Sequence, residues 1–204
     1  MTHDLIKELR ELTGAGILEI KSALAESHND KTAAVELLRK KGALKAGKKA
    51  DRVANEGMVE AYIHPGSRVG VLLEINCETD FVARTDDFKA LAKDLALHIA
   101  AANPLYVNIS DVPGEVIEKE KEIYKEQSAA ATKGKSADIV NKILEGKLAK
   151  YYEETCLMEQ PFAKNPDLRV KDLVSAATAK MGEKIQVKRF ARFVLGNWLR
   201  LTII

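Results

Sequence analysis

Cys77, taken with His64 or His98, offers a thiol nucleophile and an imidazole base, the pair that a cysteine hydrolase would need. Cys77, however, closes an apolar alternating run through Val69, Val71, Leu73 and Ile75, where a buried, inert thiol is the ordinary outcome. His98 lies near the apolar stripe of its own helix and reads as a satisfied, partly buried histidine. His3, His28, His64 and His98 show no metal-ligand spacing with Cys77 or Cys156, so neither a metal nor a cofactor is expected. No G-x-x-x-x-G-K-S/T loop is present to cradle a nucleotide. The glycine-rich Thr13-Gly14-Ala15-Gly16 lacks both a preceding strand and a phosphate-binding lysine.

Two charged stretches are weaker candidates. Residues 43–56, "ALKAGKKADRVANE", could bind phosphates through Lys45, Lys48, Lys49 and Arg52. No aromatic residue is interleaved for base stacking, and a solvated linker helix is the better reading. "EKEKE" at 118–122 likewise reads as a solvated helix face rather than an acidic interaction site. What remains is "NCETDFVARTDDF", residues 76–88, in which the apolar pair Phe81-Val82 stands between Asp80 and Arg84. Only 5% of the chain is aromatic, so a phenylalanine in a polar stretch asks for a reason. From the residues alone, packing of Phe81 against Phe88 in the core is favoured over an outward role, because buried phenylalanines outnumber exposed ones.

The elements that must hold this stretch follow from periodicity. Leu5, Ile6, Leu9 and Leu12 predict a first helix, Ile17, Ile20 and Leu24 a second. Asp30 can cap a third, carrying Ala34, Val35, Leu37 and Leu38 and expected to stop at Gly42. From Gly57 the period becomes two. Val59, Ala61 and Ile63, a turn at Pro65-Gly66-Ser67, then Val69 to Asn76 predict a hairpin with one strongly apolar face. Thr85 can cap a helix with Asp86 and Asp87 in its first turn and Phe88, Leu91, Leu95 and Ile99 along one side, ending at Asn103-Pro104. Residues 115–155 read as largely helical, interrupted near Lys133-Gly134-Lys135. Leu173, Val174 and Ala177 mark a short helix stopping at Gly182. Ile185 and Val187 begin a last strand, whose apolar phase switches near Phe190, as at a bulge or a strand buried on both faces. The expected fold class is α+β: a three-helix module over 1–42, a basic linker helix over 43–56, and a core of antiparallel sheet covered by helices over 57–204.

Composition bounds the function. A chain of 204 residues can bury a sizeable core. Charged residues make up 30% with a net charge of only +2, which argues against a dedicated nucleic-acid binder. Two distant cysteines read as reduced cytosolic thiols. The start, "MTHDLIKELRELTG", is no secretory signal, and no apolar run reaches the roughly 18 residues of a membrane span. A cytoplasmic protein without membrane contact is expected.

Three stretches carry a resemblance. "LIKELRELTGAGILEIKSAL" near the start, "NCETDFVAR" in the middle and "EQPF" at 159–162 are similar, in order, to bacterial elongation factor Ts. The likeness runs from residue 3 to about 196. It implies a guanine nucleotide exchange factor that acts on elongation factor Tu without covalent chemistry. It also implies that the N-terminal module resembles a ubiquitin-associated three-helix domain and docks on the partner, with Arg10, Ile17 and Leu18 flanking the docking surface. Thr79, Asp80, Phe81 and Val82 match the family's loop that intrudes near the partner's magnesium and phosphate site, so the resemblance turns Phe81 outward.

Longer members of that family carry two related core halves, whereas this chain has a single hairpin-plus-helix unit. It resembles the short form, in which a homodimer supplies the second half. The tail "NWLRLTII", 197–204, extends beyond where short members end, near "RFVLG"; adding a strand, joining a dimer interface and hanging free all stay open for it, and the expected homodimer would use the last strand and this tail. A ribosome- or nucleic-acid-binding protein resting on Lys45, Lys48, Lys49 and Arg52, and a cysteine hydrolase at Cys77, are the competing readings. Neither explains "TDFVAR".

Overall fold

The computed structural model of the chain describes residues 3–132, 136–196 and 202–203. Helices α1 (His3–Thr13), α2 (Ile17–Glu26) and α3 (Lys31–Gly47) open it and close a small core of their own around Leu9, Ile20, Ala23, Leu24, Ala34 and Leu38. Asp30 starts α3 as expected, its carboxylate accepting the Ala33 N–H at 2.8 Å. The helix does not stop at Gly42, however. It runs on to Gly47, and turns and extended chain follow before the sheet. Tertiary packing overrides the poor helix propensity of glycine here, since α3 lies along a later helix, α8 (Val170–Met181). Gly14, at φ 66° in the turn between α1 and α2, also lies close to α8: a Cβ there would stand 3.1 Å from Cβ of Lys180.

Next come β1 (Glu56–Ile63), β2 (Val69–Cys77), the single turn α4 (Asp80–Ala83) and α5 (Asp86–Ala102). Helices α6 (Gly114–Thr132) and α7 (Ala137–Thr155) pack on each other; Lys133-Gly134-Lys135, where an interruption was expected, lies outside the described residues. A short hairpin of β3 (Pro161–Phe162) and β4 (Asn165–Arg169) precedes α8, and β5 (Gln186–Val194) and β6 (Thr202–Ile203) follow it. The main sheet is antiparallel in the order β1-β2-β5-β6. Of the tail 197–204, only Thr202 and Ile203 are described, and they pair with Arg192 and Ala191. The phase switch near Phe190 proves to be a bulge: Glu74 faces Arg189 and Ile75 faces Val187, leaving Lys188 as the extra residue.

The hairpin departs from expectation in one consequential way. Ile63 faces Gly70 and Tyr62 faces Val71, so odd residues of β1 share a face with even residues of β2. The two odd-numbered apolar sets therefore point to opposite sides. Val71, Leu73 and Ile75 join α5 and α8 in the main core, with Met58 and Tyr62 packed against it. Val59, Ile63 and Leu72 lie on the outer face with Phe193 and Leu195, each exposed by 47% or more. The hairpin has two apolar faces, and among the described residues only one of them is covered.

His98 is fully buried in that core. Its Nδ1 accepts the Ala163 N–H at 3.1 Å, which leaves Nε2–H to donate to Gln160 Oε1 at 3.0 Å. Gln160 in turn donates to the carbonyl oxygen of Glu154. Burial holds the imidazole below its usual 6.5, although the Gln160 bond acts the other way. The unfolded chain then takes up the proton first. Stability is expected to fall as pH drops through about 6.5, and to stop falling on this account once the folded-state value is passed. Thermal melts across that range should show a steeper loss for the native chain than for a His98→Gln variant. Parallel curves would contradict the assignment.

Candidate functional site

The stretch around Phe81 is built between two caps. β2 ends at Cys77, and Thr79 then caps α4, its Oγ1 accepting the Val82 N–H at 3.5 Å. Thr85 closes the other side. Its hydroxyl donates to the Val82 carbonyl at 2.8 Å and accepts the Phe88 N–H at 3.2 Å, opening α5. A single turn can present only part of its circumference to the core. Val82 and Ala83 take that side and pack on the main cluster. Phe81 is left 78% exposed, whereas Phe88, one helix start later, is fully buried. Leaving such a ring in water forgoes roughly 1.5–3 kcal/mol of burial.

Asp80 pairs with Arg84 at 2.5 Å, both side chains well exposed. An i,i+4 surface pair of this kind contributes only about 0.3–0.5 kcal/mol, so Asp80 can exchange Arg84 for another partner at small cost. Of the four residues Thr79, Asp80, Phe81 and Val82, the two in the middle face outward, and the outer two hold the turn.

Two carboxylates from distant parts of the chain fix the stem of this loop. Glu183 Oε2 accepts the N–H groups of Glu78 and Thr79 at 3.1 and 3.0 Å, and its Oε1 accepts the Thr79 hydroxyl at 2.6 Å. Glu78 reciprocates by accepting the Lys184 N–H at 2.6 Å. That backbone donor, with Arg52 at 3.4 Å, holds the Glu78 carboxyl below the usual carboxylate range. Nothing in the sequence announces Glu183. It follows Gly182, whose φ of 78° ends α8, but a carboxylate just past a helix stop has no spacing signature.

The basic segment is drawn into the same place. The ammonium of Lys49 donates to the Gly182 carbonyl, Lys184 donates to that of Arg52 at 2.8 Å, and Arg52 faces Glu78. Two of the cations behind a phosphate-binding reading are thus engaged within the fold. The thiol reading also weakens. Burial and the charge of Glu183 push the Cys77 thiol up to about 11, and the Sγ–H donates to the Thr79 carbonyl. Neither imidazole is turned to it: His64 faces the Tyr62 hydroxyl, and both nitrogens of His98 are engaged.

On the N-terminal module Arg10 is exposed, and Ile17 and Leu18 are 46% and 82% exposed at the start of α2. Ile17 therefore stands apart from the buried stripe of Ile20, Ala23 and Leu24, although its spacing matches. As the first residue of the helix it projects past the packed face. With Leu12 it gives the module an apolar, accessible end.

The family described as Elongation factor TS matches residues 18–197 of this chain. Among curated proteins, elongation factor Ts of Carboxydothermus hydrogenoformans is 57% identical over 199 residues, covering 98% of this chain and 91% of that protein. Those of Herpetosiphon aurantiacus and Thermotoga petrophila are 53% and 58% identical over 197 residues, covering 97% of this chain and 98% and 97% of their own lengths.

Proposed function

The chain belongs to the elongation factor Ts family, and from that membership we propose that it is the guanine nucleotide exchange factor of translation elongation. It docks on elongation factor Tu carrying GDP, disturbs the magnesium and phosphate site there, and releases GDP so that GTP can bind. The observation that carries this reading is Phe81, 78% exposed on a turn fixed at both ends. A rigidly held aromatic ring can enter a partner's apolar crevice without first paying to be ordered. Asp80 meets polar groups around that crevice, while Thr79 and Val82 hold the turn that carries them. Arg10, Ile17 and Leu18 supply a second contact through the N-terminal module.

The mechanism is an exchange of binding energies. A factor that binds best when the nucleotide's magnesium and phosphate contacts are displaced weakens nucleotide affinity by the same factor that nucleotide weakens its own. Incoming GTP then expels the factor unchanged. No acid, base or nucleophile is asked of this chain, and its place of work is the cytoplasm; among the described residues no helix is long and apolar enough to cross a membrane. Release of fluorescent GDP from a bacterial elongation factor Tu, followed with sub-stoichiometric amounts of this protein, tests the reading. Multiple turnovers per factor molecule are expected, and an unaltered release rate would overturn it.

An outer side of the sheet that the described residues leave uncovered supports assembly as a homodimer. Val59, Ile63, Leu72, Phe193 and Leu195 form a contiguous apolar face of a kind that seldom stays in water. A second copy offers the same patch, and a two-fold interface is self-complementary. The dimer then provides the second core half that this chain lacks. Sedimentation at micromolar concentration should give twice the 22.5 kDa chain mass, and Phe193→Asp should shift it to the monomer. A native chain that sediments as a monomer would contradict the dimer.

A further inference from the structure

We infer that Glu183 is the positioning residue for Phe81, an inference that rests on the exchange reading above. The turn α4 has only four residues and buries none of them. A single helical turn is below the length that forms by itself, because nucleation fixes several residues for one hydrogen bond. Its direction is imposed from outside it: Val82 and Ala83 rest on the core, Thr85 holds the far end, and the stem sets the near end. At the stem, the Glu78 and Thr79 N–H groups both point at one carboxylate oxygen of Glu183, which fixes two successive peptide planes. The other oxygen takes the Thr79 hydroxyl proton, leaving that hydroxyl's lone pairs to accept the Val82 N–H inside α4. A continuous chain thus runs from the carboxylate through the hydroxyl to the backbone that carries Phe81.

The clamp is itself anchored. Gly182 turns the chain so that residue 183 can face the loop, and Lys49 and Lys184 tie that turn to the segment before β1. Glu78 grips Lys184 from the opposite side, so loop and turn are joined at two points. Glu183 is not among the buried core residues. Its removal frees the loop and leaves the packing of Leu73, Phe88 and Val187 as it was.

Three variants test this: Glu183→Ala, Glu183→Gln and Phe81→Ala, with the double variant Phe81→Ala/Glu183→Ala. The amide of Glu183→Gln keeps a carbonyl for the two N–H groups and can donate to the Thr79 hydroxyl, so it should restore most of the function. Glu183→Ala should melt near the native temperature but lose hydrogen-exchange protection at the Glu78 and Thr79 amides. At saturating factor, its GDP release should slow by roughly 10- to 100-fold, the scale on which misplacement of a reacting group costs rate. The concentration giving half of that maximum should change little. In the Phe81→Ala background Glu183→Ala should add no further loss, because it acts through the missing ring.

A Glu183→Ala protein with the native saturated rate, beside a slowed Phe81→Ala protein, overturns the positioning role and leaves the exchange reading standing. A native protein that does not accelerate release overturns both. Multiplying losses in the double variant would also overturn it. Should Glu183→Ala fail to fold, Thr79→Val removes only the hydroxyl link. It must then show the slowed saturated rate at a native melting temperature; a native rate overturns the inference.

Discussion

Truncating Phe88 to alanine is expected to remove about 3–5 kcal/mol of stability, the range for deleting a buried aromatic ring. Phe88 lies in the first turn of α5, is fully buried, and sits in one cluster with Leu73, Ile75, Leu91 and Val187. Its N–H is also the group that Thr85 caps, so the side chain ties the α4–α5 junction to the sheet. Domains are stable by only about 5–15 kcal/mol, so this loss is a large fraction of the total. For a chain of this length it corresponds to a melting temperature lower by roughly 6–20 °C. Urea titration of Phe88→Ala against the native chain measures it directly, and a loss below about 1 kcal/mol would show that the ring is not where the core needs it.

The same substitution seven residues earlier is expected to do the reverse. Phe81→Ala takes a ring that is 78% exposed and should leave the melting curve almost unmoved. Its effect is expected on exchange. Fully burying such a ring contributes roughly 1.5–3 kcal/mol. If most of that is gained only in the state in which nucleotide is displaced, release slows by about 10- to 150-fold, at about 1.4 kcal/mol per decade. Two phenylalanines in one short stretch then separate folding from function.

Much of this was legible in the sequence where the signal is local. Asp30 and Thr85 cap helices because a side-chain oxygen three residues ahead of a free N–H is a short-range arrangement. The stripe Phe88, Leu91, Leu95 and Ile99 is buried as its spacing predicts. Three features were not legible, for one physical reason: each depends on how separate elements pair or pack rather than on the pattern within one element. Gly42 stays helical because α8 packs beside it. The outer apolar face arises from the pairing of Ile63 with Gly70, which residue alternation within each strand cannot reveal. Glu183 reaches Thr79 across 104 residues. The exposure of Phe81 belongs with these, since the general preference of phenylalanine for the core pointed the other way. Only the resemblance of "TDFVAR" to a known loop turned it outward.

On the proposed reading, the Phe81 ring contributes to displacing nucleotide rather than to docking alone. The most direct test is the rate of labelled GDP release from elongation factor Tu, measured against the concentration of native and Phe81→Ala protein up to saturation. The two plateaus are expected to differ by about 10- to 150-fold. A common plateau, reached by the variant at a higher concentration, would contradict it.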